Sequence, residues 1–194
     1  MNQKLMSVTP EKPDFRIDLA AALKSLQQEE LVAYNSDKGW LIACDACSEK
    51  AVAALINMVQ NAPKADTTLL IDSTVRIQSY TETVPDIVWD LLEVSDDKIS
   101  IVLENTKNLA PQIAQQTPKT GFRIITDTFA NYLVQRLRKP LFCIMPLDSE
   151  KVVKTLLAQN SYHLVDHNRN KQTKLQHSSI IKIGNGNRVE IIRA

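Results

Sequence analysis

Four groups of residues have types and spacings that could do chemistry. Cys44-Asp45-Ala46-Cys47 has the C-x-x-C spacing of a redox pair or of half a zinc site. A structural zinc needs four ligands, and no second pair follows at a suitable spacing, so buried or helix-flanking thiols are the favoured reading and no metal site is expected. His163 and His167 fall in a stretch that reads as a strand. A rise of roughly 3.3 Å per residue sets them about 13 Å apart, too far to share an ion. Arg169, Lys171 and Lys174 form a basic run with no aromatic beside it and read as a solvated surface loop. The fourth group, Asn35-Ser36-Asp37-Lys38-Gly39, is a polar knot between two apolar runs. It is either a plain hairpin turn or a loop that faces a ligand. None of the four glycines forms a G-x-G-x-x-G or G-x-x-x-x-G-K pattern, and no nucleophile elbow is present.

The elements that must position these groups follow from apolar periodicity and turn chemistry. Asp18 is expected to cap a helix that runs to about Glu30, with Leu19, Leu23 and Leu26 on one stripe. Leu31–Tyr34 and Trp40–Cys44 read as strands around the polar knot, and Ser48 caps a second helix with Val52, Leu55, Ile56 and Val59 inward. Strands are predicted over Thr67–Ile71, Ile99–Leu103, Phe122–Ile125, Leu141–Met145 and Tyr162–Val165. Helices are predicted after Pro85, over Leu109–Ala114, over Asp127–Arg138, and from a cap at Asp148 or Ser149 to about Ala158. A final hairpin joins Ser179–Ile183 to Arg188–Ile192 through a Gly/Asn turn. Alternating helices and strands give an α/β domain with a mixed sheet.

Composition narrows the class. A chain of 194 residues with 44% hydrophobic content can bury one sizeable core. Residues 1–17 are set apart as an N-terminal extension or edge segment, and 18–194 as the domain. No apolar run reaches the roughly 20 residues that cross a bilayer, and the first thirteen residues are too polar for a signal peptide, so a cytoplasmic protein without membrane contact is expected. Three cysteines suit a reducing compartment. Residues 1–97 hold 8 basic and 16 acidic side chains, and residues 98–194 hold 15 and 6. Two readings stay open: a basic face suited to a polyanion, or halves that interleave and neutralise each other.

Certain segments come in a telling order: Asn35 to Ile42 and then Cys44-Asp45; Ala51-Val52 early in a helix; Arg123-Ile124-Ile125; Pro140-Leu141 and then Met145-Pro146-Leu147; His177-Ser178-Ser179-Ile180-Ile181; and Ile191-Ile192-Arg193. From about Asp18 to Arg193 this order resembles the YrdC-like threonylcarbamoyl-AMP synthase family. That family's first motif is Pro-Thr-Asp/Glu-Thr-Val-Tyr-Gly-Leu, so the resemblance places Ser36 at a threonine and Lys38 at another. The family's Lys-x-Arg falls on Val59-Gln60-Asn61, its Pro-Gly-Pro-x-Thr-x-x-Leu on Asp96 to Leu103 with Ser100 at the threonine, and its Ser-x-Asn on Met145-Pro146-Leu147.

The resemblance implies a single-domain YrdC-like fold, a twisted mixed β-sheet with flanking helices bent around a concave surface. It also implies ATP, L-threonine and bicarbonate as substrates, with Mg accompanying ATP, in the making of a modified adenosine of tRNA. Ser36, Ser100, Arg123, Ser178, Ser179 and Arg193 match positions associated with nucleotide contact, and Lys38 adds a cation to the pocket loop. Val59 and Asn61 in place of Lys and Arg remove two phosphate-neutralising charges. Losing one positioned donor lowers a rate by about 100-fold to 1,000-fold. The leading expectation is therefore a divergent paralogue, impaired as a synthase, that retains binding of RNA (tRNA or double-stranded RNA) or of a nucleotide-like anion. The alternatives are an active synthase and a protein-interaction module that keeps only the fold. The structural reading of Arg123 and Arg193 is pairing with carboxylates such as Asp37 or Asp127.

Overall fold

The structure is a computed structural model that describes residues 15–59, 61–62, 65–94, 99–115, 120–184, 186 and 188–194. Most of the expected extension, together with Gln60, Asp96 to Lys98, Asn185 and Asn187, lies outside the described residues. Nine strands, β1 (Leu31–Ser36), β2 (Gly39–Asp45), β3 (Asp66–Ile71), β4 (Ile99–Leu103), β5 (Gly121–Ile124), β6 (Leu141–Leu147), β7 (Tyr162–Leu164), β8 (Ser179–Gly184) and β9 (Arg188–Arg193), form one sheet. Their order is β7-β1-β2-β6-β3-β5-β4-β8-β9. The sheet is mixed. β1 runs parallel to β7, β3 to β5 and β4 to β8, and the remaining neighbours are antiparallel.

Side chains alternate across the strands, so each apolar run feeds two cores. On one face, Leu31, Ala33, Ile42, Leu69, Ile71, Phe142 and Ile144 pack under α2 (Glu49–Val59), α3 (Asp86–Val94), α4 (Pro111–Ala114) and α6 (Glu150–Leu157). On the other, Val32, Tyr34, Leu41, Leu70, Cys143 and Met145 pack under α1 (Phe15–Gln27) and α5 (Thr128–Leu137). Ser48 Oγ accepts from Ala51 N–H at 3.2 Å to start α2, and Asp127 accepts from Ala130 N–H at 2.8 Å to start α5. Ser149, not Asp148, caps α6, and Arg138 closes α5 with a left-handed φ of 59°.

Several expectations need correction. α1 begins at Phe15, so Asp18 lies inside the helix, buried, with Oδ2 lacking a hydrogen-bond partner among the described residues. Phe15 packs edge-on against Phe129 at 5.5 Å between ring centroids, an anchor that starts the helix earlier than a polar cap would. β7 ends at Leu164, so His167 is not on that strand; its ring meets Phe15 at 4.9 Å instead. Thr74–Ser79 forms a 3-10 turn that the apolar pattern did not announce.

The order of strands brings the two halves of the chain together. β1, β2 and β3, from the acidic half of the chain, lie between strands of the basic half. Ion pairs join the halves directly, among them Lys139 to Asp45 at 2.6 Å and Arg193 to Asp66 at 2.6 Å.

Candidate functional site

The polar knot proves to be a tight hairpin. Asn35 and Ser36 belong to β1 and Gly39 opens β2, with Ser36 paired to Gly39, so only Asp37 and Lys38 form the turn. The Ser36 hydroxyl donates to Gly39 O at 2.8 Å and accepts from Lys38 N–H at 3.1 Å, closing the turn. Gly39 is required twice over. Its φ is +119°, and a Cβ there would sit 2.8 Å from Leu175 Cδ2 and 3.2 Å from Pro146 Cβ.

Leu175 follows the basic loop of Arg169, Lys171 and Lys174, whose two lysines are exposed as expected, and the segment also lies as a strap across the hairpin. Asn35 Nδ2 donates to the carbonyls of Asn168 (3.2 Å) and Lys171 (2.6 Å), and Thr173 Oγ1 donates to Asn35 Oδ1 (3.3 Å). Gln176 N–H reaches Lys38 O at 3.3 Å. Arg169 is drawn off by Glu150 and Asp166 at the strap's start. A polar asparagine in an otherwise buried strand was the signal in the sequence, because a buried amide must find partners.

Below the hairpin, Ser36, Lys38 and Arg123 line one narrow cleft with Tyr34, Asp37 and Asp127. Its free interior is about 20 Å³, room for on the order of one water. Lys38 and Arg123 are both buried. The Tyr34 hydroxyl is buried in the wall with no hydrogen-bond partner among the described residues. Burial raises its pKa well above the ordinary tyrosine value, and Asp127, Cys143 and Asp37 push the same way, so it is a proton donor at neutral pH. Burial also raises the Asp127 carboxyl; the Ala130 N–H opposes that rise, Asp37 adds to it, and Lys171 on the strap opposes it.

The other sequence candidates gather elsewhere, tied to one another. The Ser100 and Ser178 hydroxyls share a buried hydrogen bond of 2.8 Å. Arg193 makes a two-pronged ion pair with Asp66, at 2.8 and 2.6 Å, and donates to Ser178 O at 3.1 and 2.6 Å. The carboxylate partner is thus Asp66, not Asp37 or Asp127. His177 Nδ1 lies 3.2 Å from the same carboxylate. Burial alone would raise the Asp66 pKa, but the bonds from Arg193 and His177 win and hold it below the ordinary value. Ser179 opens β8 in register with Ile99 and is half-buried. Met145 and Leu147, where the resemblance expects a hydroxyl and an amide, are buried apolar side chains of β6.

The cysteines do not form a reactive pair. Burial pushes the Cys44 thiol well up, Cys47 up to about 11 and Cys143 up to about 12. Among the described residues, no group of three or more His, Cys, Asp or Glu side chains is placed to hold a metal ion. A magnesium ion brought by ATP would take its ligands chiefly from phosphate and water. No described helix is long and apolar enough to cross a membrane.

Comparison with known proteins places this architecture. The model of the Sua5/YciO/YrdC family, described as "Telomere recombination", matches residues 24–194. E. coli YciO superposes with a TM-score of 0.73 at 16% identity, covering 95% of this chain and 91% of that one. P. abyssi Sua5 carrying H234A/Y235A gives 0.74 at 14% identity, covering 94% of this chain and 54% of that one. Full-length HypF in a phosphate- and nucleotide-bound form gives 0.69 at 19% identity, covering 91% and 28%. This chain therefore spans about half of that Sua5 and about a quarter of that HypF. No curated protein matches it. With the family model spanning 24–194 and the fold shared with these structures, the chain belongs to the Sua5/YciO/YrdC family.

Proposed function

We propose that this protein is a divergent YrdC-like domain, impaired as a threonylcarbamoyl-AMP synthase, that binds the anionic end of a nucleotide-like ligand in the cleft under the Asp37-Lys38 turn. The observation that carries the proposal is the buried Tyr34 hydroxyl, a donor without an acceptor among the described residues, in a cleft lined by Lys38 and Arg123. A buried hydroxyl left unmet destabilises the fold by about 1–3 kcal/mol, so a position that keeps one is a position where an acceptor can arrive. HypF supports the assignment at the level of fold, since that protein holds phosphate and nucleotide.

Impairment is supported by what the polar groups already do. Ser36 closes the hairpin, Ser100 and Ser178 bond each other, and Arg193 is held by Asp66 and a carbonyl. Stabilising the charge that develops as pyrophosphate leaves needs donors aimed at the transferring group, and these donors face their own chain. The space of about 20 Å³ admits one oxyanion end rather than a triphosphate.

The test is calorimetric titration with AMP, ATP, pyrophosphate and phosphate, alongside Lys38→Gln and Tyr34→Phe. Removing a charged hydrogen bond of about 1.5–3 kcal/mol weakens binding by roughly 10-fold or more for Lys38→Gln. Tyr34→Phe also weakens it while leaving the unfolding temperature equal or higher, because it deletes an unmet hydroxyl. Absence of binding to all four, or binding indifferent to both substitutions, overturns the assignment. tRNA binding that falls steeply with salt and ignores both substitutions would instead support the RNA reading. Pyrophosphate release from ATP, L-threonine and bicarbonate above background would overturn impairment.

A further inference from the structure

β9 ends the sheet, and among the described residues no strand covers its outer edge. Val189 and Ile191 are 45% and 67% exposed. In register they stand opposite Ile183 and Ile181 of β8, so they share the face of the sheet on which Ile183 is buried. The apolar face of the core therefore continues one strand past its cover. A six-residue edge with no proline or lysine is a template for pairing.

We propose that the occupant is a second copy of this chain, joined β9 to β9 about a two-fold axis through Glu190. Antiparallel pairing about that axis keeps each face on its own side and sets Val189 opposite Ile191 of the second copy, twice over. Each exposed apolar side chain then meets its complement, and the two sheets become one.

The charges fit the same register. On the opposite face each Glu190 lies diagonal to Arg188 of the second copy, a separation of roughly 7–8 Å that long side chains close. Lys182 stands opposite Glu190 on β8 but is paired with Glu104 at 3.2 Å, so the Arg188 diagonals are what offset the two glutamates at the axis. Shifting the pairing to centre on Val189 aligns Arg188 with Glu190 but leaves Ile191 without an apolar partner. The register centred on Glu190 covers both apolar side chains and offsets the acidic pair.

The experiment combines sedimentation equilibrium with directed cross-linking of the full chain. The unsubstituted protein sediments as a concentration-dependent dimer, and Ile191→Lys shifts it toward monomer by 10-fold or more in dissociation constant, while the unfolding temperature measured at concentrations where both are monomeric stays the same, since that side chain is exposed. Glu190→Cys, in a Cys47→Ser background, oxidises to a disulfide-linked dimer, because residues facing across the axis of an antiparallel pair have Cα atoms about 4.5–5.5 Å apart, within the span of a disulfide. A protein that stays monomeric at its solubility limit overturns the proposal. A dimer unaffected by Ile191→Lys, or one whose Glu190→Cys form does not cross-link, overturns it equally.

Discussion

Replacing Asp66 by Asn tests the claim that Arg193 is a structural clasp and not a free nucleotide contact. The pair joins the first residue of β3 to the last of β9, and through Ser178 O to the segment before β8. The Asp66 side chain is 18% exposed and that of Arg193 35%. Breaking a fully buried pair destabilises by about 3–5 kcal/mol, and an exposed pair is worth about 0–1 kcal/mol. The intermediate burial, together with the one acceptor that Asn retains, puts the loss at roughly 2 kcal/mol, or about 4–8 °C in unfolding temperature for a chain of this size. The pH dependence has a definite sign. The folded pKa of Asp66 lies below its ordinary 3.8, so the stabilisation is complete above that value and disappears as pH falls through the folded pKa. Urea unfolding of the unsubstituted and Asp66→Asn proteins from pH 7 down to acid should show a gap that holds and then closes. A gap under about 0.5 kcal/mol at pH 7, or one that does not close in acid, refutes the reasoning.

Two further substitutions test the scaffold of the cleft. Asn35→Ala removes the amide that holds Asn168, Lys171 and Thr173, so amide exchange and proteolysis should rise across residues 166–176, with a global loss of about 1–3 kcal/mol; unchanged protection there would mean that the strap is held by other contacts. Gly121→Ala places a Cβ 3.0 Å from the Ser100 carbonyl carbon and 3.1 Å from the Ile101 backbone, where β4 meets β5 through the single registered pair Ile101–Phe122. Backbone cannot move aside as a side-chain tip can, so a destabilisation of about 1–3 kcal/mol is expected in thermal unfolding, and a neutral substitution would show that the crossing is looser than drawn.

The elements were legible because their signals are local. Period-two apolar runs and caps such as Ser48 and Asp127 place strands and helices without knowledge of the rest of the chain. Asp18 misled because Asp suits a cap, whereas α1 is set by a contact between Phe15 and Phe129, 114 positions apart and invisible to any window. The site was legible in part. Of the candidate residues, Ser36, Lys38 and Arg123 meet in one cleft under the hairpin. The hydroxyls and guanidinium of Ser100, Ser178 and Arg193 could be placed on strands, but their partners could not be, since Asp66 reaches Arg193 across a sheet whose strand order is set by pairing over long sequence separations. Asn35 was read as part of the polar knot and Tyr34 as a strand residue, although one organises the strap and the other has a hydroxyl without a partner among the described residues.

The strand order also bears on anion recognition. A face that draws a polyanion from a distance needs the basic excess of residues 98–194 gathered on one side, where charges within a Debye length of about 8 Å reinforce one another. β1, β2 and β3 interleave among the later strands, and the pairs Asp45–Lys139 and Asp66–Arg193 match acidic residues of one half to basic residues of the other. The cleft repeats the pattern on a smaller scale, with Asp37 and Asp127 beside Lys38 and Arg123. A ligand in the proposed cleft would be selected by directed donors at close range, the Tyr34 hydroxyl above all. A ligand recognised in this way should lose affinity only gently with added salt, in contrast to a polyanion that releases counterions on binding.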